Sequence, residues 1–146
     1  MKKILLIPDS FKGTMSSGRI CSIMQKAVRE IFPDCEALSI PVADGGEGSV
    51  DAFLEALGGT KKYVRVKNPF FEEMEGFYGI LKNEDPNTGK TAVIEMAACA
   101  GLPLAIGRLN PSLTTTYGVG ELIADALKNG CTNIIIGLGG SATNDG

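Results

Sequence analysis

Apolar residues fall into short runs and periodic stretches that alternate along the chain. Residues 3–7 carry an aliphatic run cut off by Pro8-Asp9-Ser10, the pattern of a short strand buried on both faces. Ser16 or Ser17 can cap the helix that follows. In it Ile20, Ile23, Met24, Ala27, Val28 and Ile31 share one face, and Pro33 ends it. Residues 37–42 read as a second strand running into Asp44-Gly45-Gly46-Glu47-Gly48. Val50, Phe53, Leu54 and Leu57 mark the next helix, stopped by Gly58-Gly59, and Tyr63, Val64 and Val66 mark a third strand. Strand, helix, strand, helix, strand with short links predicts an α/β fold with a parallel sheet and right-handed crossovers.

The pattern changes near Asn68-Pro69. Residues 75–81 and 91–96 read as strands joined by Asp85-Pro86-Asn87-Thr88-Gly89, a turn-forming sequence. A hairpin does not continue a parallel series, so a division is expected near residue 68. Residues 1–68 then form the first part of one α/β domain, and residues 69–146 the first part of a second. An irregular stretch with Pro103, Pro111 and Thr114-Thr115-Thr116 leads to a helix marked by Val119, Leu122, Ile123, Ala126 and Leu127. Gly130 closes it, and Ile134-Ile135-Ile136 predicts a buried strand. The last residues, Gly139-Gly140-Ser141-Ala142-Thr143-Asn144-Asp145-Gly146, form a glycine-rich loop of the kind that normally leads into a helix. The expectation is therefore that this chain is the front part of a longer protein.

Composition narrows the chemistry. The 146 residues are 44% hydrophobic and 21% charged, an ordinary globular mix. The net charge of −3 argues against a nucleic-acid binder, which normally presents a basic face. There is no histidine, which excludes Ser-His-Asp and Cys-His catalysis and imidazole metal sites. Cys21, Cys35, Cys99 and Cys131 contain no C-x-x-C pair and read as small apolar fillers in a reducing compartment. The apolar run at the N-terminus is too short for a signal segment, and no stretch approaches a membrane span. A cytoplasmic protein is expected.

Three polar, glycine-bearing loops each follow a predicted strand: residues 9–13, 44–48 and 139–146. Ligands gather outside the C-terminal ends of strands in open α/β sheets. Glycines there let backbone N–H groups approach an anion. Lys12 could neutralise a phosphate. Asp9, Asp44 and Asp145 could hold Mg²⁺, accept the proton of an attacking hydroxyl, or simply serve as helix caps and Asx turns. Two motif matches fail. Gly89-Lys90-Thr91 lacks the first glycine of a phosphate-binding loop, since position 84 is Glu. Gly118-Val119-Gly120 lacks the third glycine of the dinucleotide fingerprint, since position 123 is Ile.

Taken in order, Asp9-Ser10-Phe11-Lys12-Gly13, Val42-Ala43-Asp44-Gly45-Gly46-Glu47-Gly48, Ile94-Glu95-Met96-Ala97-Ala98, the block from Thr114-Thr115-Thr116 to Ile123, and the terminal glycine-rich loop resemble bacterial glycerate kinases of the first type. The resemblance covers the whole chain and implies ATP-dependent phosphorylation of D-glycerate to a phosphoglycerate. It further implies two α/β domains, one a three-layer flavodoxin-like domain, with the active site between them, and a chain well over twice this length. Carried onto this sequence, Asp44, Lys12 and Asp9 become catalytic candidates. Ser10, Gly45, Gly46, Thr115, Thr116, Gly139, Gly140, Ser141, Thr143 and Asn144 become candidates for substrate or phosphate binding, and Asp145 and Asp44 for Mg²⁺. Arg65 and Arg108 are available as cations for the glycerate carboxylate. Phosphoryl transfer needs positioning and charge neutralisation rather than histidine. Two other readings compete: a flavodoxin-like protein using flavin or nicotinamide, and a non-catalytic α/β fragment whose unfinished sheet edge drives homo-oligomers.

Overall fold

A computed structural model describes residues 2–11, 13–83, 85 and 88–145. The chain clusters into two compact units, Met1–Asp44 and Gly45–Gly146.

In the first unit β1 (Lys2–Leu6) and β2 (Cys35–Ser39) pair in parallel from Lys2↔Cys35 to Leu6↔Ser39. They are linked by α1 (Ser17–Ile31), capped by the Ser16 side chain, which accepts the Arg19 N–H. The helix buries Ile20 and Cys21, while Ile23, Met24 and Ile31 stay exposed. The predicted apolar stripe is thus wider than a two-stranded sheet can cover. Ser17 fastens the C-terminal ends of both strands: its Oγ donates to the Pro8 carbonyl at 2.6 Å and accepts the Val42 N–H at 3.1 Å. The loops leaving β1 and β2 are thereby tied to the start of α1.

The second unit holds α2 (Ser49–Leu57), β3 (Gly59–Lys67), β4 (Glu73–Leu81), β5 (Lys90–Glu95), the single turn α3 (Ala97–Ala100), α4 (Tyr117–Lys128) and β6 (Cys131–Gly137). Its sheet has the order β3-β4-β5-β6, antiparallel at the first two pairings and parallel between β5 and β6. The expected hairpin is present, with Gly79 opposite Val93 and Ile80 opposite Ala92.

The third strand does not extend the first sheet. β3 pairs with β4 along its whole length, from Gly59↔Leu81 to Lys67↔Glu73. The reason is the turn at Asn68, whose Oδ1 accepts the N–H groups of Phe70 and Glu72. A loop this short reverses the chain, and adjacent strands so joined must be antiparallel. The compact units divide between residues 44 and 45, and near residue 68 stands a turn within one sheet.

Alternation along the strands assigns the two faces of this sheet. Tyr78, Ala92 and Ile94 are buried with Val119, Leu122 and Ala126 of α4. On the other face Gly79 lies against Val50 and Leu54 of α2. α4 is further pinned to the end of β3, where the Lys67 N–H donates to Glu121 Oε2 at 2.6 Å. β6 is an edge strand, and Ile135 and Ile136 are each 39% exposed, so it is only half-buried where a fully buried strand was expected. Cys21, Cys99 and Cys131 are buried, Cys35 is half-buried, and all are free thiols. Burial pushes the Cys99 thiol up to about 12, consistent with a filler role. Among the described residues, no helix is long and apolar enough to cross a membrane.

Candidate functional site

The parallel strands β5 and β6 bring their C-terminal ends to one edge of the second unit. Four segments meet there: residues 45–48 before α2, residues 96–101 after β5, residues 114–116 before α4, and residues 138–145 after β6. Backbone bonds lace them together. Gly139 N–H donates to the Gly45 carbonyl at 2.9 Å, Ala142 N–H to the Ala100 carbonyl at 2.9 Å, and Leu102 N–H to the Gly140 carbonyl at 2.8 Å. The two glycine loops cross so closely that a Cβ on Gly139 would lie 2.6 Å from the Gly46 nitrogen. Only glycine allows that approach without displacing backbone.

Hydroxyls line the same edge. Thr114 is buried and its Oγ1 reaches the Ala142 and Pro111 carbonyls. Ser141 Oγ and Thr143 Oγ1 stand 2.8 Å apart, and Ser141 Oγ also accepts the Thr143 N–H at 3.1 Å. Asp145 turns its carboxylate to the start of α4, where both oxygens accept the Thr116 N–H at 3.0 Å. Burial works to raise the Asp145 carboxyl, but bonds from the Thr115 hydroxyl and from the Thr116 backbone and side chain hold it below its usual range. A carboxylate at a helix N-terminus is favourably placed.

The structure therefore brings together Gly45, Gly46, Thr115, Thr116, Gly139, Gly140, Ser141, Thr143, Asn144 and Asp145. Asp9, Ser10 and Asp44 lie in the first unit, on the loops leaving β1 and β2, with Asp9 and Asp44 exposed. Asp9 Oδ1 accepts the N–H of the next residue, Ser10, at 2.7 Å. Lys12 lies outside the described residues. Arg108 is committed elsewhere: its two terminal nitrogens hold Glu72 at 2.9 and 3.0 Å, and its guanidinium stacks 3.6 Å over Phe70. The Arg108 bond, followed by that from Asn68, lowers the Glu72 carboxyl to about 2.

Sequence reasoning assigned no role to Glu95, and it offered Ser17 only as a helix cap, a place that Ser16 takes. Glu95 is 3% exposed, and its Oε2 accepts the Val50 N–H at 3.0 Å. The available signal was a charge ending the aliphatic run Ala92-Val93-Ile94. Among the described residues no group of three His, Cys, Asp or Glu side chains comes together as a metal cage. These residues suit a divalent ion carried mainly by a ligand's phosphates and anchored by one carboxylate. The edge as a whole offers glycine backbone, hydroxyls and the carboxylates of Glu47 and Asp145, a donor set for a phosphorylated ligand with its counter-ion.

The sequence model of the glycerate kinase family matches residues 4–146. The glycerate 2-kinase of Escherichia coli (strain K12) is 48% identical over 99% of this chain and 37% of its own length. The glycerate kinase of Bacillus subtilis (strain 168) is 43% identical over the same shares. The crystal structure of a protein described as a glycerate kinase 2, from Salmonella typhimurium LT2, superposes with a TM-score of 0.79. It is 42% identical, over 100% of this chain and 38% of that one. The chain thus spans little more than a third of the length of these relatives.

Proposed function

The chain belongs to the glycerate kinase family, and from that premise we propose that the protein carrying it transfers the terminal phosphoryl group of ATP to a hydroxyl of D-glycerate in the cytoplasm. The observation that supports this most is the meeting, at one strand-end edge, of the Gly139–Asn144 segment, the Ser141 and Thr143 hydroxyls and Asp145 at the start of α4. Backbone N–H groups and hydroxyls placed this way neutralise phosphate oxygens without general-base chemistry of their own. Lys12 would add a point charge to the same task.

Asp145 would anchor Mg²⁺, and Asp44 is the second candidate; bound there, the ion would supply charge neutralisation on the phosphates. Asp44 or Asp9 would accept the proton of the attacking glycerate hydroxyl. Ser10, Thr115 and Thr116 would orient glycerate through hydrogen bonds. A coupled assay of ADP release, with and without D-glycerate, tests the reading. Glycerate-dependent ADP release is expected from the full-length protein, and its absence would overturn the proposal. The 146-residue chain alone is expected to turn over far more slowly, because among the described residues its first sheet has two strands and it spans little more than a third of the length of its relatives.

A further inference from the structure

Glu95 closes the aliphatic end of β5 and is buried beneath α2. Alternation turns Val93 and Glu95 to the α2 face, where the carboxylate accepts the N–H groups of Val50 and Gly48. These donors belong to the first turn of α2 and have no intrahelical partner. The helix has no cap of its own: Gly48 stands at the N-cap with φ of 88° and no side chain. Ser49, next in line, bonds back to the Gly46 carbonyl at 2.8 Å. A carboxylate 45 positions away in sequence therefore fills the place that a bound anion takes at a helix start.

The same residue reaches the rest of the edge. Glu95 stands in register with Gly137 of β6, two residues before Gly139, which is bonded to Gly45. The other charged groups around it are Asp51 of α2 and Lys61 of β3, which pair with each other at 2.5 Å. Asp51 lies in the first turn of α2 as well, but it is Glu95 whose carboxylate takes the Val50 and Gly48 N–H groups there.

We propose that Glu95 is a positioning residue: its carboxylate is a built-in anion that fixes the Gly45–Gly48 backbone and closes the α2 N-terminus to phosphate. The polyphosphate is then left to the Gly139–Asn144 segment, and the Gly45–Gly48 loop serves the singly charged glycerate. The division between substrates rests on the glycerate kinase reading; the loop-fixing role does not.

The test uses the full-length protein with Glu95→Gln, which keeps shape and loses charge, and Glu95→Ala. Hydrogen exchange of peptides spanning residues 45–52 is expected to quicken about tenfold or more in both variants, the scale of one charged hydrogen bond. Residues 90–95 keep their protection. Added acetate restores the protection of Glu95→Ala and not of Glu95→Gln, whose side chain still fills the site. In kinetics the KM for D-glycerate rises by about tenfold while that for MgATP stays within about twofold. Unchanged exchange at residues 45–52 in Glu95→Gln, or a KM effect confined to MgATP, would overturn the proposal. A wild-type protein without glycerate-dependent ADP release would instead remove the kinase reading, and the exchange result would still decide the role of Glu95.

Discussion

Replacing Gly139 by alanine tests the crossing of the two glycine loops. The added Cβ would sit 2.6 Å from the Gly46 nitrogen, 2.9 Å from its Cα and 3.0 Å from the Gly45 carbonyl carbon. All three are backbone atoms, so no rotamer change relieves the clash. The loops are also joined by the Gly139–Gly45 hydrogen bond of 2.9 Å, which must stretch if they separate. Overpacking of this kind costs about 1–3 kcal/mol, and a weakened hydrogen bond adds about 1 kcal/mol. Gly139 is not among the residues with positive φ, so alanine is unstrained in its own backbone. It recovers about 0.4–1 kcal/mol by restricting the unfolded chain. The expected net loss is about 1–3 kcal/mol, read as a lower denaturant midpoint with unchanged slope. Gly120→Ala is the control. Its Cβ meets nothing within 4 Å in α4, and it should gain about 0.5–1 kcal/mol from helix propensity. A Gly139→Ala protein as stable as wild type, beside a stabilised Gly120→Ala, would refute the close approach of the loops.

Asp44→Asn is expected to lower kcat by about 10²–10⁴-fold with little change in unfolding midpoint, as for loss of a general base; near-normal kcat with a loss of about 1 kcal/mol would return Asp44 to a turn or cap role. Tyr78→Phe removes the hydroxyl that donates to Asp125 at 2.9 Å, leaving Lys62 and Asn129 on that carboxylate. It should cost about 1 kcal/mol in urea unfolding. Glu95 and Asp145 should give pH dependences of opposite sign. Burial, outweighing the Val50 and Gly48 bonds, raises the Glu95 carboxyl above 4.5, so the folded state holds its proton longer. Stability then falls as pH rises from about 4.5 through the folded value, a slope that Glu95→Gln removes. The Asp145 carboxyl is held below 3.8. Its contribution is present above that pH and is lost as pH falls through the folded value, and Asp145→Asn removes that acid-side slope.

Much of the local structure was legible because its causes are local. Helical spacing and the capping and stopping residues marked α1, α2 and α4, and the turn-forming stretch after Leu81 marked the antiparallel pairing of β4 with β5, though Pro86 and Asn87 of that stretch lie outside the described residues. The glycine-bearing loops at strand ends were visible for the same reason, since a change from aliphatic run to polar glycine stretch needs no partner to be seen. Pairing was not legible. A short apolar strand has the same pattern whether its neighbour runs parallel or antiparallel, so only the Asn68 turn, with its side chain holding Phe70 and Glu72, decided that β3 belongs with β4. The stripe on α1 announced an apolar face, but how much of it is covered depends on the width of the sheet beneath. Arg108 is an available cation by sequence, but the fold closes its fork on Glu72. Glu95 stood in plain view as a charge ending an aliphatic run, yet its role depends on the Val50 and Gly48 N–H groups of a helix remote in sequence. A buried charge is interpretable only through the groups that solvate it, and those are brought to it by the fold.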